Sequence, residues 1–374
     1  MDSLLRRKLS WAAIAVLSLP ALWLFGSSLR HPGVRGKDDR LFPVAAQAVA
    51  AKSTSPWVMQ DSGTTAGLRG IYSVDGKIAW ASGTGGTVLR TTDSGEHWAK
   101  CAVPDGDKDG GTLDFRGVQA WSEKNAIVMA SGPGEKSRLY KTVDGCGSWM
   151  LLFKNTDKDG FWDAFNADEP YLILGDPVDK HFAIFGSDDH GTTWKRVQEA
   201  ELESKEKEGA FAASNSALYS QAVDDVAAFG SGGPSGARVL FHCAGCAKVN
   251  WIEVPMPMFP AKESAGIFSI NTDASGHWLA VGGDYAKPNE SVGTAAYSKD
   301  GGKTWAAAEK PPHGYRSSVA WSEERKAWIA TGTNGSDISR DDGKTWEWLD
   351  DGNWNALSLP FVVGPKGRIG RLVR

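Results

Sequence analysis

An eight-residue pattern that returns along the chain restricts its fold more than any other feature. The clearest copy is Ser298-Lys299-Asp300-Gly301-Gly302-Lys303-Thr304-Trp305, and Ser-x-Asp-x-Gly-x-Thr-Trp recurs at Ser187–Trp194 and Ser339–Trp346. Thr91–Trp98 is a near copy with His97 in the Thr place. Thr142–Trp149 carries Cys146 in the Gly place, and an eroded copy, His242-Cys243-Ala244-Gly245-Cys246 onward, ends at Trp251. The octet has the chemistry of a hairpin tip. The Asp accepts backbone N–H bonds from residues just ahead of it, and the Gly supplies a positive φ without a Cβ clash. The Trp opens the returning strand as a large apolar wedge. Asp93, Asp144, Asp189, Asp300 and Asp341 are therefore read as fold elements rather than catalysts.

The spacing sets the architecture. Successive closing tryptophans stand 51, 45, 57, 54 and 41 residues apart. Repeats of about 40–50 residues built from short strands indicate a β-propeller. Trp57 lies 41 residues before Trp98, in register but without an octet, and strand patterns continue beyond Trp346. The expectation is an all-β, seven-bladed propeller. Its last blade combines the C-terminal strands with the strand at Trp57, so that an N-terminal strand closes the ring and leaves no open sheet edge. Each blade reads as an inner strand, a second strand ending in Gly, a third strand and the octet. Inner strands are expected to open at Leu68, Phe115, Trp162, Glu208, Ser264, Tyr315 and Trp354.

The 17 tryptophans and 44 glycines of the 374 residues follow from this repetition. The formal charge is -4, and seven of the 41 Lys/Arg lie in the first 40 residues, so the propeller itself is acidic. That balance speaks against nucleic acid as a partner. Arg6-Arg7-Lys8 precede an apolar run from Trp11 to Phe25. Residues 1–29 are read as a signal peptide or membrane anchor, with cleavage and retention both open. No Cys follows the run for lipidation. Residues 30–55 are read as a linker and 56–374 as the propeller, placed in the periplasm or tethered to a membrane as a monomer.

The units Arg69-Gly70-Ile71, Ala79-Trp80-Ala81-Ser82-Gly83 and Val88-Leu89-Arg90-Thr91-Thr92-Asp93, with the closing Val363-Gly364-Pro365-Lys366-Gly367-Arg368-Ile369, resemble the bacterial Asp-box (BNR) propellers related to photosystem II stability/assembly factors. The resemblance covers about residues 57–374. It implies a non-enzymatic propeller, lumenal or periplasmic, that binds a membrane-protein precursor through an arginine-rich face. Sialidases share the octet but carry an Arg-Ile-Pro motif near the start; Tyr315-Arg316-Ser317 is a poor substitute.

Aligned inner strands give one equivalent position per blade: Arg69, Arg116, Asp163, Gly209, Ala265, Arg316 and Asn355. First residues of inner strands sit near one mouth of the channel. Arg69, Arg116, Arg316 and Asn355 there suit a carboxylate or other anion. Alternatively, Arg69 and Arg116 pair with Asp163 or backbone carbonyls and merely fill a polar channel.

Asp105-Gly106-Asp107-Lys108-Asp109-Gly110 and Asn155-Thr156-Asp157-Lys158-Asp159-Gly160 have alternate oxygen donors, but Arg116 and Asn166 stand at the twelfth positions where a calcium loop needs Glu. They are read as solvated acidic loops, and neither a metal nor a cofactor is expected. In an exported protein the four cysteines are expected oxidised. Cys243 and Cys246 would form a local disulfide, and Cys101 and Cys146 would then join the first two blades. A redox role for Cys243/Cys246 is the alternative, against which a hairpin offers no thiol-activating helix N-terminus. Asp163, Asp176, Glu208, Asp284 and Asp337 are the loop-proximal acids from which a glycoside hydrolase could draw a pair. The leading reading is an exported non-enzymatic scaffold whose protein partner, a membrane or envelope protein, meets one face of the ring. An Asp-box glycoside hydrolase, sialidase-like and acting on glycans, is the alternative, and a small anionic ligand is a further possibility for the mouth.

Overall fold

The computed structural model describes residues 55–197, 202–221, 226–243 and 251–373. The expected signal or anchor segment, the linker up to residue 54, Cys246 and the side chain of Cys243 lie outside the described residues. Seven four-stranded antiparallel sheets follow one another, each with its strands in sequence order. Blade 1 runs Leu68–Ser73, Ala79–Gly83, Val88–Thr91 and Ala99–Lys100. Blade 7 takes Ala356–Ser358, Phe361–Val363 and Ile369–Leu372, and its outermost strand is Trp57–Gln60, paired Trp57 to Leu372 and Gln60 to Ile369. The ring is closed by the N-terminal strand, as the Trp57 register requires.

Apolar side chains gather into seven clusters, one between each pair of neighbouring blades. Trp80 and Val88 of blade 1 meet Phe115, Val118 and Val128 of blade 2. The set at the closure joins Leu68, Ile71 and Leu89 to Phe361, Val363 and Ile369. Each octet tryptophan seals one such interface. Trp98 packs edge-on against Phe361 at 5.8 Å, and Trp149 against Trp80 at 6.5 Å. Fully burying a large apolar side chain contributes about 1.5–3 kcal/mol; Trp194 and Trp346 are buried and the other octet tryptophans half-buried, so each adds cohesion between blades.

The octets bond as their chemistry dictates. In the copy at 298–305, Thr304 donates both its N–H (2.9 Å) and its hydroxyl (2.6 Å) to Asp300, Ser298 Oγ donates to Asp300 (2.8 Å), and Gly302 N–H donates to Ser298 Oγ (2.9 Å). A Cβ at Gly302 would lie 2.2 Å from the Phe241 ring at φ +82°, so both backbone and packing demand glycine there. Asp93, Asp144, Asp189 and Asp341 repeat this network with His97, Ser148, Thr193 and Thr345. Hydrogen bonds to the ionised form hold the carboxyls of Asp93, Asp144, Asp189 and Asp300 at about 2.

The cysteine pairing between the first two blades is present: Cys101 and Cys146 form a disulfide with Cα atoms 5.3 Å apart. Cys146 takes the Gly position of its octet at φ 71°.

Blades 4 and 6 differ from the expected strand starts. The inner strand of blade 4 is Leu218–Gln221, not Glu208–Phe211, and that of blade 6 is Ser318–Ser322. Gly209 makes only an isolated bridge to Gly232, which in turn bridges Gly266. The residues between Gly209 and Leu218 enter the ring and touch the inner strands or strand entries of four other blades. Arg116 of blade 2 donates to the Ala212 carbonyl (3.0 Å), and Asn215 exchanges two bonds with the Phe165 backbone of blade 3 (2.9 and 3.0 Å). Phe211 stacks on Phe268 of blade 5 with ring centres 3.9 Å apart. Ser214 donates to the Ser317 carbonyl of blade 6 (2.7 Å), and Ser216 donates to Ser269 of blade 5 (2.8 Å). Residues 211–216 are a plug that fills the channel.

Candidate functional site

The mouth of the channel is shaped by β-bulges. The register of each inner strand against its neighbour slips at Arg69, Arg116 and Asp163, leaving these three residues out of the ladder at one equivalent position in blades 1, 2 and 3. A bulge re-aims its side chain and commonly marks a functional rim. The same slip in blade 5 falls on Phe268, so Phe268 replaces Ala265 as the equivalent residue. In blade 6 the glycine ending the second strand, Gly332, faces the Tyr315 carbonyl as Gly83 faces that of Gly67. That offset makes Arg316 the equivalent of Leu68, one residue before the bulge position.

Arg69 and Arg116 come together around the Asp114 carboxylate. Arg116 Nε donates to Asp114 Oδ2 at 2.8 Å, and Arg69 Nε lies 3.6 Å from Asp114 Oδ1. The two guanidinium side chains are 13% and 15% exposed, so each presents an edge to solvent. Burial pulls the Arg69 guanidinium below its usual range, with Asp114 opposing. Gly70 lets the blades close here, since a Cβ would sit 3.1 Å from the Arg116 carbonyl and 2.5 Å from Ser82 Oγ. The Arg116 guanidinium lies over the Phe161 ring at 5.9 Å, and half-buried Phe211, next to the Ala212 carbonyl that Arg116 bonds, stacks on Phe268.

The remaining predicted mouth residues are buried or bonded within the ring. Asp163 is wholly buried. Asn355 donates to the Leu68 carbonyl (2.7 Å) and ties blade 7 to blade 1. Arg316 is wholly buried, with Nε donating to Asp337 Oδ2 at 2.7 Å and Nη1 donating to Asn334 and to the Tyr315 carbonyl. It is closed off from any partner at the mouth.

The two acidic loops are solvated at Asp107 and Asp159, while their other carboxylates are paired. Arg138 makes a bidentate pair with Asp109 (2.7 Å to each oxygen), and Tyr140 donates to Asp105 (2.9 Å). Arg196 bonds Asp157. Guanidinium groups thus stand against the oxygens a cation would need. Asp163, Asp176, Glu208, Asp284 and Asp337 are all buried. Glu208 is held by Arg238, Asp284 by Lys262 and Asp337 by Arg316, so these acids give no open pair for a glycosidic bond.

Comparison with known proteins agrees with the fold. The BNR/Asp-box repeat model matches residues 296–307, the strand and hairpin around Asp300. The photosystem II assembly lipoprotein Ycf48 of Synechococcus sp. (strain CC9902) is 23% identical over 350 residues, spanning 87% of this chain and 90% of the relative. The chain is an Asp-box β-propeller related to Ycf48. The solved structure of Ycf48 bound to D1 peptide superposes with a TM-score of 0.60 at 18% identity, over 86% of this chain and 98% of that one. Ycf48 from Cyanidioschyzon merolae gives 0.58 at 18% identity, over 85% and 99%. Both share the fold. The plug was missed from sequence because its contacts are non-local. The signal that could have found it is the length of blade 4, whose closing tryptophan comes 57 residues after the previous one.

Proposed function

We propose that this protein is an exported, non-enzymatic scaffold that holds a segment of a membrane or envelope protein at the channel mouth. One observation carries the reading: a relative of the same fold has been solved with D1 peptide bound. The mouth has suitable chemistry. Two partly exposed guanidiniums share one carboxylate, which leaves one positive charge facing outward near the half-buried Phe211. Arg69 and Arg116 would receive a peptide carboxylate or carbonyl through fork-like donors, and Phe211 would pack on its apolar part. Because residues 211–216 fill the channel, the partner would lie across the mouth rather than thread the ring. Export rests on Arg6-Arg7-Lys8 and the apolar run behind them, and on the relative's name as a lipoprotein. The apolar run itself would be the tether, since no Cys stands before Cys101.

The test is affinity capture from membrane extracts with the full chain and with the Arg69→Ala/Arg116→Ala variant. Specific capture of a membrane or envelope protein by wild type, lost in the variant with an unchanged melting temperature, is expected. Equal capture by both would remove the mouth as the site. Failure of wild type to capture any such protein would overturn the scaffold reading.

A further inference from the structure

The face that carries the octets has a second constellation that the mouth does not use. The hairpin between the first two strands of blade 5, Asp273-Ala274-Ser275-Gly276-His277-Trp278, is an Asp-box in miniature. Asp273 Oδ1 accepts the N–H groups of Ser275 (2.9 Å) and His277 (3.0 Å). Asp273 Oδ2 lies 3.1 Å from His277 Nδ1. The octet of blade 6 brings Asp342 to the same imidazole, with Oδ1 3.6 Å from Nδ1. One nitrogen and two carboxylate oxygens, from two different blades, thus face a common point within 4.8 Å of one another.

We propose that Asp273, His277 and Asp342 form a site for a divalent transition-metal ion, of which zinc is the test case. The donor set argues for this class. An imidazole nitrogen with carboxylate oxygens suits zinc, nickel or copper, whereas calcium takes oxygens alone. The spacing argues the same way. Donors about 2.0–2.2 Å from a metal centre stand roughly 3–3.6 Å from one another, and the two distances to Nδ1 fall in that range. The site is also anchored. Asp273 is 5% exposed and fixed by two backbone donors, while His277 and Asp342 remain about one-third open to solvent for entry of the ion and its water ligands. Lys299 Nζ, 3.0 Å from Asp342 Oδ2, supplies the positive charge that balances this carboxylate in the metal-free protein. The ion would compete with that ammonium for Asp342 and would clamp blade 5 to blade 6. The Asp93–Glu96–His97 group serves as a contrast. Its donors lie in one exposed hairpin, so an ion there would join no two blades.

The experiment is calorimetric and thermal titration of the full chain with zinc in chelator-treated buffer. One equivalent is expected, with a melting temperature that climbs with the logarithm of free zinc. His277→Thr installs the residue the other octets use to bond their Asp, so it should fold and melt like wild type without metal. Its zinc affinity should fall by about tenfold or more, and Asp342→Asn should do the same. Lys299→Met should tighten binding. Retention of wild-type affinity in His277→Thr and Asp342→Asn overturns the site, as does loss of binding in His97→Thr alone. An absence of zinc-dependent stabilisation in wild type also overturns it.

Discussion

The Arg316 guanidinium is closed on the Asp337 carboxylate, and both side chains are almost wholly out of water, 0% and 1% exposed. His313 Nδ1 joins them at 2.7 Å from Asp337 Oδ1. Burial lowers the Arg316 pKa and the Asp337 charge opposes that fall. A buried pair of this kind contributes little net stability, but breaking one half strands the other charge. Arg316→Ala should therefore cost about 3–5 kcal/mol, read as a shift in the urea midpoint. Arg316→Met/Asp337→Leu should recover most of that loss. If the single variant matched wild type, the pair would not be as dry as its exposure indicates.

Asn215 is the pin of the channel plug. Its side chain both accepts from and donates to the backbone of Phe165, across a blade boundary, and its own φ is +66°. Asn tolerates that left-handed backbone far better than Ala. Asn215→Ala should cost about 2 kcal/mol or more, from unmet buried backbone groups and from backbone strain. Asn215→Gly should lose the bonds but not the backbone fit, and so lie between wild type and Ala. Hydrogen exchange should localise the effect, with the Phe165 amide losing protection in both variants.

Much of this molecule is legible from the octets alone, because their bonds are local. Each Asp, Thr and Gly acts within one hairpin, so spacing carries the blade count and Trp57 carries the closure. The candidate site was read less well, because it depends on register and on distant partners. Arg69 and Arg116 align in their inner strands, and each is followed by a glycine, Gly70 and Gly117. Arg316 has no such glycine, and a one-residue offset turned it from the channel to Asp337. In blade 5 the sequence alignment points to Ala265, whereas the bulge falls on Phe268, because the inner strand there is longer, Ala265–Thr272. Asp114 went unnoticed as the shared acid. The hairpin at Asp273 was overlooked because it lies between the first and second strands instead of the third and fourth.

Cys101 and Cys146 close a loop of 45 residues between blades 1 and 2. A cross-link of that span is worth about 2–4 kcal/mol. Replacing both cysteines by Ser should lower stability by that order. The backbone gives this prediction a finer test. Position 146 is the glycine place of its octet, at φ 71°, where a residue with a Cβ is strained once the disulfide no longer holds it. Cys101→Ser/Cys146→Gly should consequently be more stable than Cys101→Ser/Cys146→Ser under the same conditions. The reverse order would mean that the hairpin tip adopts a different backbone once the disulfide is gone.

Acid should unfold the propeller through its octets. The carboxyls of Asp93, Asp144, Asp189 and Asp300 titrate at about 2 in the folded chain, and that of Asp341 is lowered as well. In the unfolded chain they titrate near 3.9. Between those values the unfolded state binds more protons, so stability is full above pH about 4 and is lost as the pH falls toward 2. Five repeats of one network should sum into a steep decline of the melting temperature across that window, with little change between pH 5 and 7 from these groups. Asp300→Asn keeps an oxygen to accept the Thr304 N–H but cannot titrate. It should lower the melting temperature at pH 7 and flatten the decline below pH 4. A variant curve parallel to that of wild type would show that the octet aspartates do not govern acid unfolding.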